Sequence, residues 1–225
     1  NAVVIDDLGQ VYLTGYVDTD PGNAKNNDII TIKFSADGAL LWSRLYNGPA
    51  NGNDEGNDIT LDLDGNILVA GNSAGLGTGF DFVDIIILRY NPMGDLLGEI
   101  RYDGFGHNYD VAGSILVDPV GDIYLRGVSN RHNYIYSPRD VVILKYNAAG
   151  EQLWAYKCKT SNYSSGCSKI TQDSAGNLFF MTATANQGAI DIAVWSFSSE
   201  GDLRWREVVN PGGYDNGFDI ATDAD

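Results

Sequence analysis

What most limits the fold of this chain is a Gly turn that returns at nearly constant distance. Gly9, Gly65, Gly121 and Gly176 stand 56, 56 and 55 residues apart. Each follows a short stretch ending in Asp (Asp6, Asp62, Asp118, Asp173) and leads into an apolar run at 11–13, 67–69, 123–125 or 178–180. A fixed period of this size marks stacked repeat units that share one continuous core. The 225 residues therefore read as a single domain, 1–225, with repeats at about 1–56, 57–112, 113–167 and 168–217 and a further copy of the opening strand at 218–225.

Every repeat divides into four short strands. The first ends at the Asp before the Gly turn. The second is expected to stop at Gly15, Gly71, Gly127 and Thr182. The third is the most apolar, running from Ile29, Ile85, Val141 and Ile192, each just after an Asp (Asp28, Asp84, Asp140, Asp191). Its β-branched density selects strand over helix. A basic residue closes it three times, at Lys33, Arg89 and Lys145. A second Gly turn (Gly38, Gly94, Gly150, Gly201) opens the fourth strand, which carries Trp42, Gly98, Trp154 and Trp205 at one position. Recurrence of that Trp argues for packing between repeats.

Unbroken apolar third strands beside alternating fourth strands mean that the middle of each sheet is covered on both faces while its edge is wet. A two-sheet sandwich leaves one face of every strand polar, and solenoid coils are shorter than this period. A radial stack of meanders supplies the double cover. The expected fold is all-β: β-propeller blades, four antiparallel four-stranded meanders plus an extra inner strand at 220–223. The first strand, with small Thr60, Ser114 and Ala221, should lie innermost.

These words resemble the β-propeller repeat known as SBBP: Asp62-Leu-Asp-Gly-Asn66, Asp140-Val-Val-Ile-Leu-Lys-Tyr146, Gly38-Ala-Leu-Leu-Trp42 and Asn51-Gly-Asn-Asp-Glu-Gly56. The resemblance covers nearly the whole chain. It departs at Gly98 in place of Trp, at Ser196 in place of the third-strand cation, and around Cys167. What it implies is a secreted or surface-attached microbial protein without a defined activity.

Charge narrows the partners. Thirty acidic against 14 basic residues give a net charge of -16, which opposes nucleic acid and anionic lipid. No apolar run approaches the ~18 residues of a membrane span, and the residues at hand open with no leader pattern, as expected of a mature chain or a segment. Cys158 and Cys167 lack the paired spacing of a zinc site. A disulfide between them is expected, which places the protein outside a reducing cytosol.

Antiparallel order puts the long second-to-third and fourth-to-first connections on one rim. That rim should gather Asp54, Asp110 and Asp215, candidate ligands for Ca²⁺, and the aromatics Phe105, Tyr109, Tyr134, Tyr136 and Tyr214 as a binding surface. The competing reading is structural, because an Asp present once per repeat suits a residue that bonds backbone amides. His107 and His132 stand in different loops without a motif, so acid–base chemistry has little to work with. The sequence thus points to a noncatalytic extracellular or cell-surface scaffold or binding module for protein or glycan, with no required cofactor. The alternative is a Ca²⁺-dependent carbohydrate-active enzyme using rim carboxylates and tyrosines. Two copies of the first strand, at 3–6 and 220–223, would compete for one slot in a closed four-bladed ring. The expectation is therefore an arc of a larger chain, or a homo-oligomer, in which 1–15 and 215–225 do not share a sheet.

Overall fold

A computed structural model describes residues 1–19, 26–75, 82–104, 107, 109–130, 139–158, 169–186, 189–210, 212–213, 215, 217 and 219–223. Its sixteen elements are all strands. They form four antiparallel sheets, each in sequence order. The first holds β1 (Ala2–Ile5), β2 (Val11–Asp18), β3 (Asn27–Phe34) and β4 (Leu40–Tyr46); the second holds β5 (Asp54–Leu61), β6 (Ile67–Ala74), β7 (Val83–Tyr90) and β8 (Leu96–Tyr102). The third holds β9 (Asp110–Val117), β10 (Ile123–Asn130), β11 (Arg139–Tyr146) and β12 (Gln152–Cys158). The fourth holds β13 (Ile170–Gln172), β14 (Leu178–Asn186), β15 (Ala189–Phe197) and β16 (Leu203–Val209). These are propeller-like blades.

The Asp of each first turn fixes that turn. Asp62 Oδ1 accepts the N–H of Asp64 and of Asn66, at 3.0 and 2.8 Å. Asp6, Asp118 and Asp173 do the same two and four residues on. The glycine between them takes a positive φ, 75° at Gly65, which a side chain would strain. At the second turn Asn91 and Asn147 play the same part.

Blades touch through their faces. One apolar cluster joins the first two blades, with Tyr12 and Ile29 against Ile59, Ile67, Val69, Ile86, Leu88 and Tyr90. A second joins Ile85 and Ile87 to Leu125, Val142 and Leu144 of the third blade. A third joins Tyr124, Val141 and Ile143 to Leu178, Phe180 and Phe197 of the fourth. Successive residues of β7 thus feed opposite joints. Each of Ile85 to Leu88 is no more than 2% exposed, which is worth about 1.5–3 kcal/mol per side chain.

Inner strand β1 neighbours β5, β5 neighbours β9, and β9 neighbours β13, so the first strand of each repeat lines the axis as expected. Two expectations need correction. Second strands do not stop at glycine: β6 and β10 run three residues past Gly71 and Gly127. Glycine is needed there because the chain of β5 or β9 bulges against it; a Cβ on Gly127 would meet Val111 O at 2.7 Å. First strands also begin earlier, at Asp54 and Asp110, absorbing residues expected in loops.

No ladder joins the first sheet to the fourth among the described residues, and β1 pairs with β2 alone. Residues 220–223 form no ladder there either. Thr222 Oγ1 donates to Gln172 O at 2.9 Å, which sets this segment beside β13.

Two indoles of the fourth strands, Trp42 and Trp154, act as expected between blades. Trp42 Nε1 donates to Pro92 O and Trp154 Nε1 to Ser199 O, both at 3.1 Å and both reaching the second turn of the next blade. Trp154→Phe should lose that donor at a cost of about 1 kcal/mol. Trp154→Ala, which also removes half-buried ring area, should cost about 2–3 kcal/mol. Urea denaturation of the two variants checks the order.

Candidate functional site

The inner strands enclose an open cavity of about 610 Å³. Glu55, Asn57 and Asp58 come to it from β5, Asn72 from β6, and Val111, Ala112 and Gly113 from β9. Asn1, Ala2 and Val3 at the start of the first blade, with Tyr109, Lys169 and Asp219, complete the wall, and Lys169 Nζ lies 3.6 Å from Asp219 Oδ2.

A bulge in β5 aims Asn57 inward, since its neighbours Gly56 and Asp58 pair with Gly71 and Ala70 and leave it unpaired. Its Nδ2 donates to Ala112 O at 2.8 Å and to Asn72 Oδ1 at 3.1 Å. Asn72 Oδ1 also accepts the N–H of Ala112 at 2.8 Å, and Asp58 Oδ2 that of Ile115 at 2.9 Å. Side chains of one blade therefore satisfy backbone groups of the next along the axis. The same bulge recurs in β9, where Gly113 occupies the position of Asn57. Tyr109 carries the Arg139 guanidinium 4.3 Å from its ring centre, a cation–π arrangement.

The Asp residues expected as metal ligands divide. Asp54 is wholly buried; its Oδ2 accepts the Gly48 N–H at 2.6 Å and its Oδ1 the Ala74 N–H at 3.1 Å. Asp110 accepts the Gly104 N–H at 2.7 Å in the same way, six residues back. A Cβ on Gly48 or Gly104 would run into the carboxylate and the serine beside it, Ser73 or Ser129. The repeated Asp is thus a latch on the connection from one blade to the next.

Among the described residues, the acidic group with mutually close oxygens is Asp84, Asp103 and Asp110, within 4.8 Å of one another. Asp54 and Asp215 lie outside it. Burial, reinforced by Asp103 and Asp84, pushes the Asp110 carboxyl up to about 6. Burial also raises Asp84, although Arg101 Nη1 stands 3.0 Å from its Oδ2. His107 Nδ1 lies 2.6 Å from Asp103 Oδ2, and that hydrogen bond raises the imidazole.

Of the expected aromatic rim, Tyr109 borders the cavity, whereas Phe105, Tyr134, Tyr136 and Tyr214 lie outside the described residues. Cys158 is buried at the end of β12, and Cys167 lies outside the described residues. Sequence reasoning passed over Asn57 and Asn72, whose signal was an amide at a bulge. It also passed over Arg126, the largest fully buried side chain, where the other repeats have Thr14, Ala70 and Met181.

Residues 41–77 match the SBBP beta-propeller repeat. The match runs from the fourth strand of the first blade, through its Trp and the Asp54 latch, into the second strand of the next. The matched stretch therefore spans the crossing from one blade to the next and contains the Asp54–Gly48 bond. No curated protein matches the chain. Among solved structures, a protein of unknown function from Dyadobacter fermentans DSM 18053 is similar over 92% of this chain and 67% of its own, with a TM-score of 0.60 at 13% identity. That likeness concerns fold.

The Asp110 latch has a pH signature. Its folded-state value, about 6, lies above the ordinary 3.8, so the folded protein holds this proton more tightly than the unfolded chain. Its contribution to stability grows as pH falls through about 6 and is complete below about 4. Asp110→Asn should remove a slope of about 1 kcal/mol between pH 7 and pH 5, read from denaturation midpoints of both proteins at each pH.

Proposed function

We propose that this is a noncatalytic propeller module of an extracellular or cell-surface protein, and that it binds a glycan at its axis. The observation behind this reading is the 610 Å³ cavity walled by carboxylates, amides, a tyrosine and a lysine. Its volume falls in the ~300–1,000 Å³ range of ligand sites, and its polar wall suits a ligand rich in hydroxyl groups. Amides can both accept from and donate to sugar hydroxyls, carboxylates accept from them, and Tyr109 offers an aromatic face. The carboxylates with raised pKa do not line this cavity.

A glycan array followed by calorimetry tests the assignment. Asn57→Gly adopts the residue that the next repeat uses at this place, so the fold should persist while affinity drops by roughly tenfold through the loss of one amide. A fully folded protein that binds no glycan, or an N57G variant that binds as well as the parent, would end this reading.

The enzyme reading draws on one observation, the Asp110 carboxyl near 6 beside Asp84 and Asp103. A carboxyl in that range suits a general acid. Asp110 is only 1% exposed, however, and already serves as a latch like Asp54, which weighs toward structure. Polysaccharide cleavage abolished by D110N in a folded protein would favour catalysis.

Localisation outside a reducing cytosol goes with a bond between Cys158 and Cys167. In unfolded, unreduced protein, a thiol reagent should then label neither cysteine. The end blades expose Ile5 (62%) and Trp205 (40%). A further blade of this kind, from the same chain or another copy, is the partner that suits them.

A further inference from the structure

Two joints between blades share one design. Lys33 Nζ and Trp42 Nε1 both donate to Pro92 O, each at 3.1 Å. Lys145 Nζ and Trp154 Nε1 both donate to Ser199 O, at 3.2 and 3.1 Å. In both, the indole lies under a turn glycine, Gly94 or Gly201, whose Cβ would touch the ring at 2.9 or 3.0 Å. In both it packs beside a tyrosine of its own sheet, Tyr12 at 6.3 Å or Tyr124 at 6.1 Å between centroids.

The joint between the second and third blades keeps the cation and the acceptor: Arg89 Nη1 donates to Ala148 O at 2.8 Å. It lacks both rings. Gly98 replaces the Trp and Leu68 the Tyr. Around a Cβ on Gly98 nothing lies within 4 Å. Ile100 leans toward Gly150 without closing the gap, and a slot of about 180 Å³ remains. Leu68, Ile87, Leu97, Ile100, Ile123 and the turn 148–150 line it, with Arg89 and Glu99 alongside.

We propose that this slot binds a small planar aromatic molecule carrying one ring N–H, with indole as the probe. Three features fit that chemistry. Apolar walls left open by a missing side chain accept apolar molecules that restore the lost contacts. The guanidinium of Arg89, directly across from Gly98 in the β7–β8 ladder, can attract a ring face. Ala148 O, equivalent to Pro92 O and Ser199 O, has a second lone pair for the ring N–H. The slot lies beside the tight second turns, apart from the axial cavity, and its occupancy does not depend on a glycan being bound there.

Indole is titrated into the intact chain and followed by amide NMR. Saturable shifts should concentrate at Arg89, Gly98, Ile100 and residues 148–150, and 1-methylindole, without the N–H, should bind more weakly. Gly98→Trp supplies the ring from the chain itself, so G98W should raise the melting temperature and lose indole binding. Absence of saturable shifts, equal binding by G98W, or equal binding of 1-methylindole would overturn the proposal.

Discussion

Everything in this molecule depends on the fact that no sheet can hide its own middle. The third strand of each repeat carries apolar residues on both faces, so each sheet must be sandwiched by neighbours, as β7 is between the first and third blades. The hydrophobic effect sets that requirement without direction. Direction comes from the hydrogen bonds that bridge the joints: indole and ammonium to a turn carbonyl at the outside, and at the axis amides to a backbone C=O and N–H and a carboxylate to a backbone N–H. Apolar faces alone could slide. Two sets of bonds, at the two edges of each joint, fix the angle.

The same division of labour explains how a strongly acidic chain can bury carboxylates. Asp54 and Asp110 are out of water, yet each accepts a backbone N–H that would otherwise be orphaned at a chain crossing. A buried acceptor with a donor built in removes the cost of both groups at once. Crowding then shows in the protonation state. Asp110, with Asp84 and Asp103 close by, holds its proton to about 6, whereas Asp62, which receives the Asn66 amide and the Arg89 guanidinium, is driven below the ordinary carboxylate range despite burial.

Fold was legible because its signals are local and repeated. Asp and Gly at constant spacing specify a turn, and a turn followed by β-branched residues specifies a strand; four copies of one error are improbable. Strand limits at Gly71 and Gly127 were misread because glycine signals both a chain end and a close approach, and only the neighbouring bulge decides between them. The site was less legible. Asn57 and Asn72 become neighbours through pairing across a bulge, and Lys169 meets Asp219 from the two sequence ends of the fourth repeat. Spacing along a chain carries no record of such meetings. The Asp residues were visible, and what their repetition shows at Asp54 and Asp110 is one bond to a backbone N–H six residues back.

The bulge residue of the inner strand separates two kinds of evolution. At 57 the chain has Asn and at 113 Gly, in the same backbone irregularity and facing the same axis, while the ladders on either side keep their register. A position outside the ladder can change its side chain without disturbing strand alignment. The second and third blades each hold one such variable letter at the axis, set apart from the frame that supports it.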